Sequence, residues 1–346
     1  MAEIIAWVLV FAIAAYACAG GTDYGAGFWD LMAGGAERGK RPRWLIDHAM
    51  APVWEVNNVW LIFILVIMWT GFPTMFQAVF SAMWLPLALA AIGLVLRGAG
   101  FALRKPSRRL AQRRIYGAVF AVSSLVTPFF LGAVIGGIAS GRVKVGTTAS
   151  ADAWANGTSV LVGLLAIAAT AFLGAVFLCA DAVRFGAHDL VDYFRVRALI
   201  AFGAVVVLAL IGLPVTHDDA RYVWDGLTGG LGLLLIILAA VCGLATVLLV
   251  LRRSHGWSRY TSVASVALTV GAWGFAQRPY ALPTSLTVAE AAGAAHTLRW
   301  LAIVTVIAIV LVGPALALLY RLDTMGELEE LTDADTRAAG APGDNL

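Results

Sequence analysis

The run IIAWVLVFAIAAYACA, from Ile4 to Ala19, leads directly into GGTDYGAGFWD. Apolar runs of this kind recur along the chain, each close to the ~20 residues that cross ~30 Å of hydrocarbon as a helix. No other feature constrains the fold as strongly. In lipid every backbone amide must be paired within the protein, which leaves spanning helices or a closed barrel. The runs are continuously apolar rather than alternating, and a barrel would alternate. Composition agrees: 61% of residues are hydrophobic and 13% charged, with a mean hydropathy of +0.85. A soluble chain carries about 25% charged residues. The expected fold is an all-α polytopic membrane protein, a bundle of about nine transmembrane helices.

The apolar runs place these helices near 4–33, 52–72, 74–97, 114–139, 156–184, 196–213, 226–251, 260–277 and 295–320. Pro73 divides the second from the third, which predicts an antiparallel hairpin with almost no loop. Basic residues alternate loop by loop. ERGKRPRW, RGAGFALRKPSRRLAQRR, the stretch holding Arg184, Arg195 and Arg197, and LRRSHGWSR are rich in basic residues, and the loops between them are poorer. The positive-inside rule then puts the N-terminus outside and the C-terminus in the cytosol. Residues 1–322 form one transmembrane domain, and the acidic stretch 323–346 is expected to be a flexible cytosolic tail. The first run begins MAEII, without the basic residues of a secretory signal, and is expected to be retained. Glycines one turn apart, Gly21/Gly25 and Gly132/Gly136, suit close helix packing.

Against this background a few polar residues need a reason. Asp23 lies near the cytosolic end of the first span. The segment PVWEVNNVWL brings Glu55, Asn57, Asn58 and Trp60 into the second span from the same side. Acids at membrane depth are costly and commonly belong to proton relays. The competing reading has Asp23 and Glu55 capping helix ends or pairing with Arg43 or Arg97. His48, His188, His217, His255 and His296 all lie in loops or at helix ends, and Met68 and Met83 are mid-span without a histidine. A membrane haem needs axial His or Met ligands at defined depths, so neither haem nor metal is expected on this chain. Cys18, Cys179 and Cys242 form no metal or disulfide pattern and read as small apolar side chains. A net charge of +3 argues against a nucleic-acid partner.

The same stretches carry a resemblance. GTDYGAG at 21–27 resembles the G-x-D-x-G-x-G signature of subunit II of cytochrome bd-type quinol oxidases. PVWEVNNVWL at 52–61 is similar to that family's P-x-W-(D/E)-x-N-x-V-W-L segment. LRGAGFALR at 96–104 and TPFFLGAVIGG at 127–137 follow in the family's order. The resemblance implies a multi-pass protein of the bacterial plasma membrane. It implies a haem-bearing subunit I as partner, holding two b-type haems, one d-type haem and the quinol site. A small single-span accessory subunit often joins them, and membrane lipid and quinone surround the complex. The implied reaction oxidises quinol and reduces oxygen to water, electrogenically and without a pump, with subunit II free of haem and not catalytic alone. Asp23, Glu55 and Asn57 are then expected in a cytosolic proton path, the acidic position at Glu55 being the one the family carries, and Trp60 matches the family tryptophan near an apolar oxygen route. Two other readings stand beside it: a proton-coupled secondary transporter with an unwound site in the first span, and a purely structural partner subunit.

Overall fold

The computed structural model describes residues 1–35, 37–50, 54–104 and 109–325. The long helices are α1 (Ala2–Leu31), α3 (Trp54–Gly71), α5 (Trp84–Arg104), α6 (Leu110–Ala139), α7 (Gly157–Arg184), α8 (His188–Asp219), α10 (Gly230–Leu251), α11 (His255–Ala276) and α13 (Ala295–Met325). Shorter pieces lie between them: α2 (Lys40–Met50), α4 (Pro73–Ala82), α9 (Arg221–Thr228), the strands β1 (Tyr280–Leu282) and β2 (Leu286–Thr287), and α12 (Val288–Ala291). Among the described residues seven helices are long and apolar enough to cross a membrane, or eight with the bent pair α3–α4 counted as one. The chain is thus a multi-pass helical membrane protein. The long helix outside that count is α11, whose opening HGWSRYTS is polar.

The ends of the long helices sort into two sets. At one end Glu3 of α1 pairs with Arg278 just beyond α11 at 3.0 Å, and Gly293 N–H donates to the Gly71 carbonyl at the end of α3. There Asp219, closing α8, accepts from the Thr158 amide and hydroxyl at the start of α7 and pairs with Arg142. At the opposite end Asp30, closing α1, pairs with Arg104 of α5. Arg195 near the start of α8 donates to the Leu251 carbonyl, and Arg259 of α11 pairs with Asp181 of α7.

Two differences from the sequence reading stand out. The third apolar run is not one helix from 74 to 97. It divides into α4, bent 117° from α3, and the spanning helix α5, which runs to Arg104. Pro73 sits at the first helical position of α4, and Phe72 before it takes φ −135° and ψ 62°, outside the α region that a residue preceding proline avoids. A second break at Met83 (φ −109°, ψ 20°) lets Trp84 and Pro86 open α5. The expected loopless hairpin is therefore a helix, a ten-residue elbow and a helix. The amphipathic helix α2 is also absent from the sequence reading. It buries Leu45 and Ile46 and is tied down by Arg43 to Asp30 and by Arg41 to Asp189. The residues from 326 onward, most of the expected tail, lie outside the described residues.

Nor is α1 unwound in its glycine-rich half, as a transporter site would require. It is continuous to Leu31 because the glycines let neighbouring helices come close. A Cβ on Gly25 would lie 2.8 Å from the Cα of Gly174 in α7, and one on Gly174 would lie 2.7 Å from the Cα of Gly25. Trp29 then donates its indole N–H to the Ala171 carbonyl at 2.8 Å. Gly132 and Gly136 of α6 meet Gly163 and Ser159 of α7 in the same way.

Candidate functional site

The site is built where α1, α3, α5 and α6 converge. Asp23 of α1 is 4% exposed, and Asn57 of α3 and Arg97 of α5 are each 2% exposed. Asn57 Nδ2 donates to Asp23 Oδ2 at 2.7 Å and to the Ala19 carbonyl at 3.2 Å. The GTDYGAG and PVWEVNNVWL segments, separate in sequence, therefore meet in one buried hydrogen bond. A buried carboxylate requires such partners, since desolvating it without them is costly. Among the described residues the side chain that closes on Asp23 is Asn57. Glu55 lies in the first turn of α3, but its side chain lies outside the described residues.

Two tyrosines extend the cluster along α1. Tyr16 and Tyr24 share a hydrogen bond between their hydroxyls at 2.7 Å, with their rings edge to face at 6.4 Å. The Arg97 guanidinium lies over the Tyr24 ring at 4.8 Å and the Phe120 ring at 5.4 Å. Its Nε donates to Ser124 Oγ at 3.3 Å. Ser124 fits against α1 because Gly27 has no side chain to displace it.

The structural reading of Asp23 as a partner of Arg43 or Arg97 is not met by direct contact. Arg43 pairs instead with Asp30 at 2.7 Å, and no ion pair joins Asp23 to Arg97 among the described residues. Asp30, passed over in the sequence reading, is 3% exposed. It accepts from Arg43 on one oxygen and from Arg104, at 2.6 Å, on the other. Its signal was present: Asp30 lies seven residues after Asp23, two helical turns along the same face.

Trp60 is half-buried. It meets Phe11 of α1 at 5.8 Å and Phe63 at 6.4 Å, both edge-on. Together with Ile4, Trp7, Val8 and Ile309 these rings line a lateral groove of about 420 Å³ between α1, α3 and α13. A second, apolar cavity of about 190 Å³ lies on the other side of α1, with Tyr16 in its wall and Glu3, Gln277 and Arg278 among its few polar groups.

Among the described residues the candidate haem ligands each have another setting. His48, His217 and His296 are engaged by the Trp44 carbonyl, Asp218 and the Trp300 indole, and His188 is exposed at the start of α8. His255 is the buried one, and its Nδ1 lies 3.4 Å from Cys179 Sγ. Met68 and Met83 are packed in the apolar core beside Phe72 and Met75. Among the described residues no three His, Cys, Asp or Glu side chains gather as a metal site would require.

Comparison with known proteins bears on the chain as a whole. The sequence pattern of the family described as cytochrome bd terminal oxidase subunit II matches residues 1–323. The cytochrome bd ubiquinol oxidase subunit 2 of Bacillus subtilis (strain 168) is 24% identical over 294 residues, covering 82% of this chain and 84% of that protein. The cytochrome bd-I ubiquinol oxidase subunit 2 of Escherichia coli (strain K12) is 25% identical over 228 residues, 63% of this chain and 58% of that protein. In three dimensions the chain is similar to one in the structure of bd oxidase from Geobacillus thermodenitrificans. The TM-score is 0.77 at 24% identity, covering 93% of this chain and 98% of that one.

Proposed function

Since the chain belongs to the cytochrome bd terminal oxidase subunit II family, we propose that it is the haem-free subunit that brings cytosolic protons to a haem-bearing subunit I. That partner oxidises quinol and reduces oxygen to water, with the haems and the quinol site in its own fold. The observation that carries the reading is the buried Asn57–Asp23 hydrogen bond. It joins two polar segments at membrane depth, where an acid without a task is selected against.

The chemistry asked of this chain is proton transfer alone. A carboxylate can accept a proton from the water side and release it inward. The amide of Asn57 holds Asp23 in place, donating to one oxygen and leaving the other for exchange. Glu55, at the entry of α3, is the outer member of the path. The groove at Trp60 supports a second role. It is apolar, open on one side and lined by aromatic rings, which suits a small nonpolar gas moving in from the bilayer. Proton uptake on one side and quinol proton release on the other would make turnover electrogenic without a pump.

The orientation completes the proposal. The Asp30 end of the bundle gathers Arg43, Arg104, Arg184, Arg195 and Arg253, which supports placing it in the cytosol. Nine crossings, with α11 and the α3–α4 elbow accommodated, leave the N-terminus outside. Reporter fusions after Trp44, Lys105 and Glu327 are expected to report from the cytosol, and one beside Asp218 from outside. A C-terminal reporter active only outside would show that the crossings are miscounted. The partner is tested by affinity purification of the full chain from its native membrane. A haem protein that oxidises quinol is expected in stoichiometric amount, and recovery of the chain without one would refute the assignment.

A further inference from the structure

A buried cation in the site has no assigned task. Arg97 is 2% exposed, yet its Nη2 has no hydrogen-bond partner among the described residues. Buried guanidinium groups are normally paired or hydrogen-bonded throughout, because an uncompensated charge in low dielectric is strongly disfavoured. The opposite charge in its neighbourhood is Asp23, on which Arg97 acts electrostatically without touching it. The other groups acting on Asp23 among the described residues are uncharged: Asn57 from α3, and Tyr16 and Tyr24 from α1 itself. Glu55 enters from α3, its side chain outside the described residues.

We propose that Arg97 is a positioning residue for the proton path. Its unpartnered Nη2 holds water that reaches the Asp23 carboxylate, so the cation orients the acid without locking it in a direct ion pair. The rest of the geometry serves the same end. Stacking on Tyr24 and Phe120 and the bond to Ser124 fix the plane of the guanidinium and so the direction of its free N–H groups. A small polar pocket with several donors and acceptors is where an internal water is stably held. A direct Arg–Asp bridge would hold the carboxylate in one bidentate geometry; a water-bridged pair keeps the charge balance and leaves the proton mobile. The inference rests on the proton-entry reading of Asp23.

The test uses the purified whole complex, with quinol-driven oxygen uptake expressed per haem d. Arg97→Met is expected to lower turnover roughly ten- to a hundred-fold, the range for lost outer partners of a reactive group, with haem content unchanged. Arg97→Lys should restore most of the rate, because a shorter cation can hold the same water. The decisive comparison is the double variant. If Arg97 acts through Asp23, Arg97→Met with Asp23→Asn turns over no more slowly than Asp23→Asn alone, whereas independent effects multiply. Arg97→Gln repeats the test if Arg97→Met does not assemble. Wild-type turnover in Arg97→Met, multiplying losses in the double variant, or failure of both neutral variants to assemble would each overturn the proposal. Asp23→Asn at wild-type rate is a separate outcome, since it removes the proton path itself and this inference with it.

Discussion

Asp23→Asn and Glu55→Gln are each expected to slow quinol-driven oxygen uptake by about a hundred-fold, the usual loss when a positioned proton-transfer group is removed. Both changes keep the size and much of the hydrogen-bonding capacity of the side chain. In Asp23→Asn the Asn57 amide still has an oxygen to donate to, so the 2.7 Å contact between α1 and α3 survives and the fold is retained. What is lost is the exchangeable proton. Haem content and subunit stoichiometry should therefore match the wild type while turnover per haem d falls. Glu55→Asp keeps a carboxyl one methylene shorter and should retain substantial activity. A purely structural role predicts a different pair of results: normal turnover after assembly, or no assembly.

Gly25→Leu should prevent accumulation of the subunit in the membrane. At this position α1 and α7 touch backbone to backbone, and a single Cβ already falls 2.8 Å from the Gly174 Cα and overlaps the Thr170 carbonyl. Neither obstacle is the tip of a flexible side chain, so the helices must separate. That costs well beyond the ~1–3 kcal/mol of ordinary overpacking. Separation also breaks the Trp29–Ala171 hydrogen bond. Gly203→Leu is the matched control. Gly203 lies within α8, with nothing within 4 Å of an added Cβ, and should accumulate normally. Immunoblots of membrane fractions separate the two. Equal levels would mean that the α1–α7 crossing does not govern assembly.

The spanning helices were legible because length and continuous apolarity are sufficient signals in a medium that forbids unpaired backbone. The elbow α4 was not. Its sequence PTMFQAVFSA is as apolar as a span, and only Pro86, close after Met83, hints that the run restarts. Helix α2 escaped for the opposite reason. KRPRWLIDHAM is too polar and short to read as a span, although Leu45, Ile46 and Ala49 share a face with helical spacing. In the site, the cost of an acid in hydrocarbon singled out Asp23 and Glu55, and the entry of PVWEVNNVWL at the same depth put Asn57 and Asn58 beside them. Whether Asn57 reaches Asp23 depends on the rotation of α3 about its own axis. A uniformly apolar helix carries little record of that rotation. Arg97 likewise read as an interfacial cation at the edge of a basic loop, and its burial over Tyr24 depends on α6 closing over it through Gly27 and Ser124.

Passage through Asp23 of the protons consumed in oxygen reduction would show in proton uptake during a single turnover. Fully reduced complex is mixed with oxygen in weakly buffered solution containing a pH-indicator dye, and dye and haem d signals are recorded together. In the wild type, uptake should keep pace with oxidation of haem d. In Asp23→Asn, oxygen binding should proceed at the wild-type rate while proton uptake, and the haem d oxidation steps that need it, are delayed by about the same ~10²-fold as steady-state turnover. Proton uptake in Asp23→Asn at the wild-type rate would contradict the account.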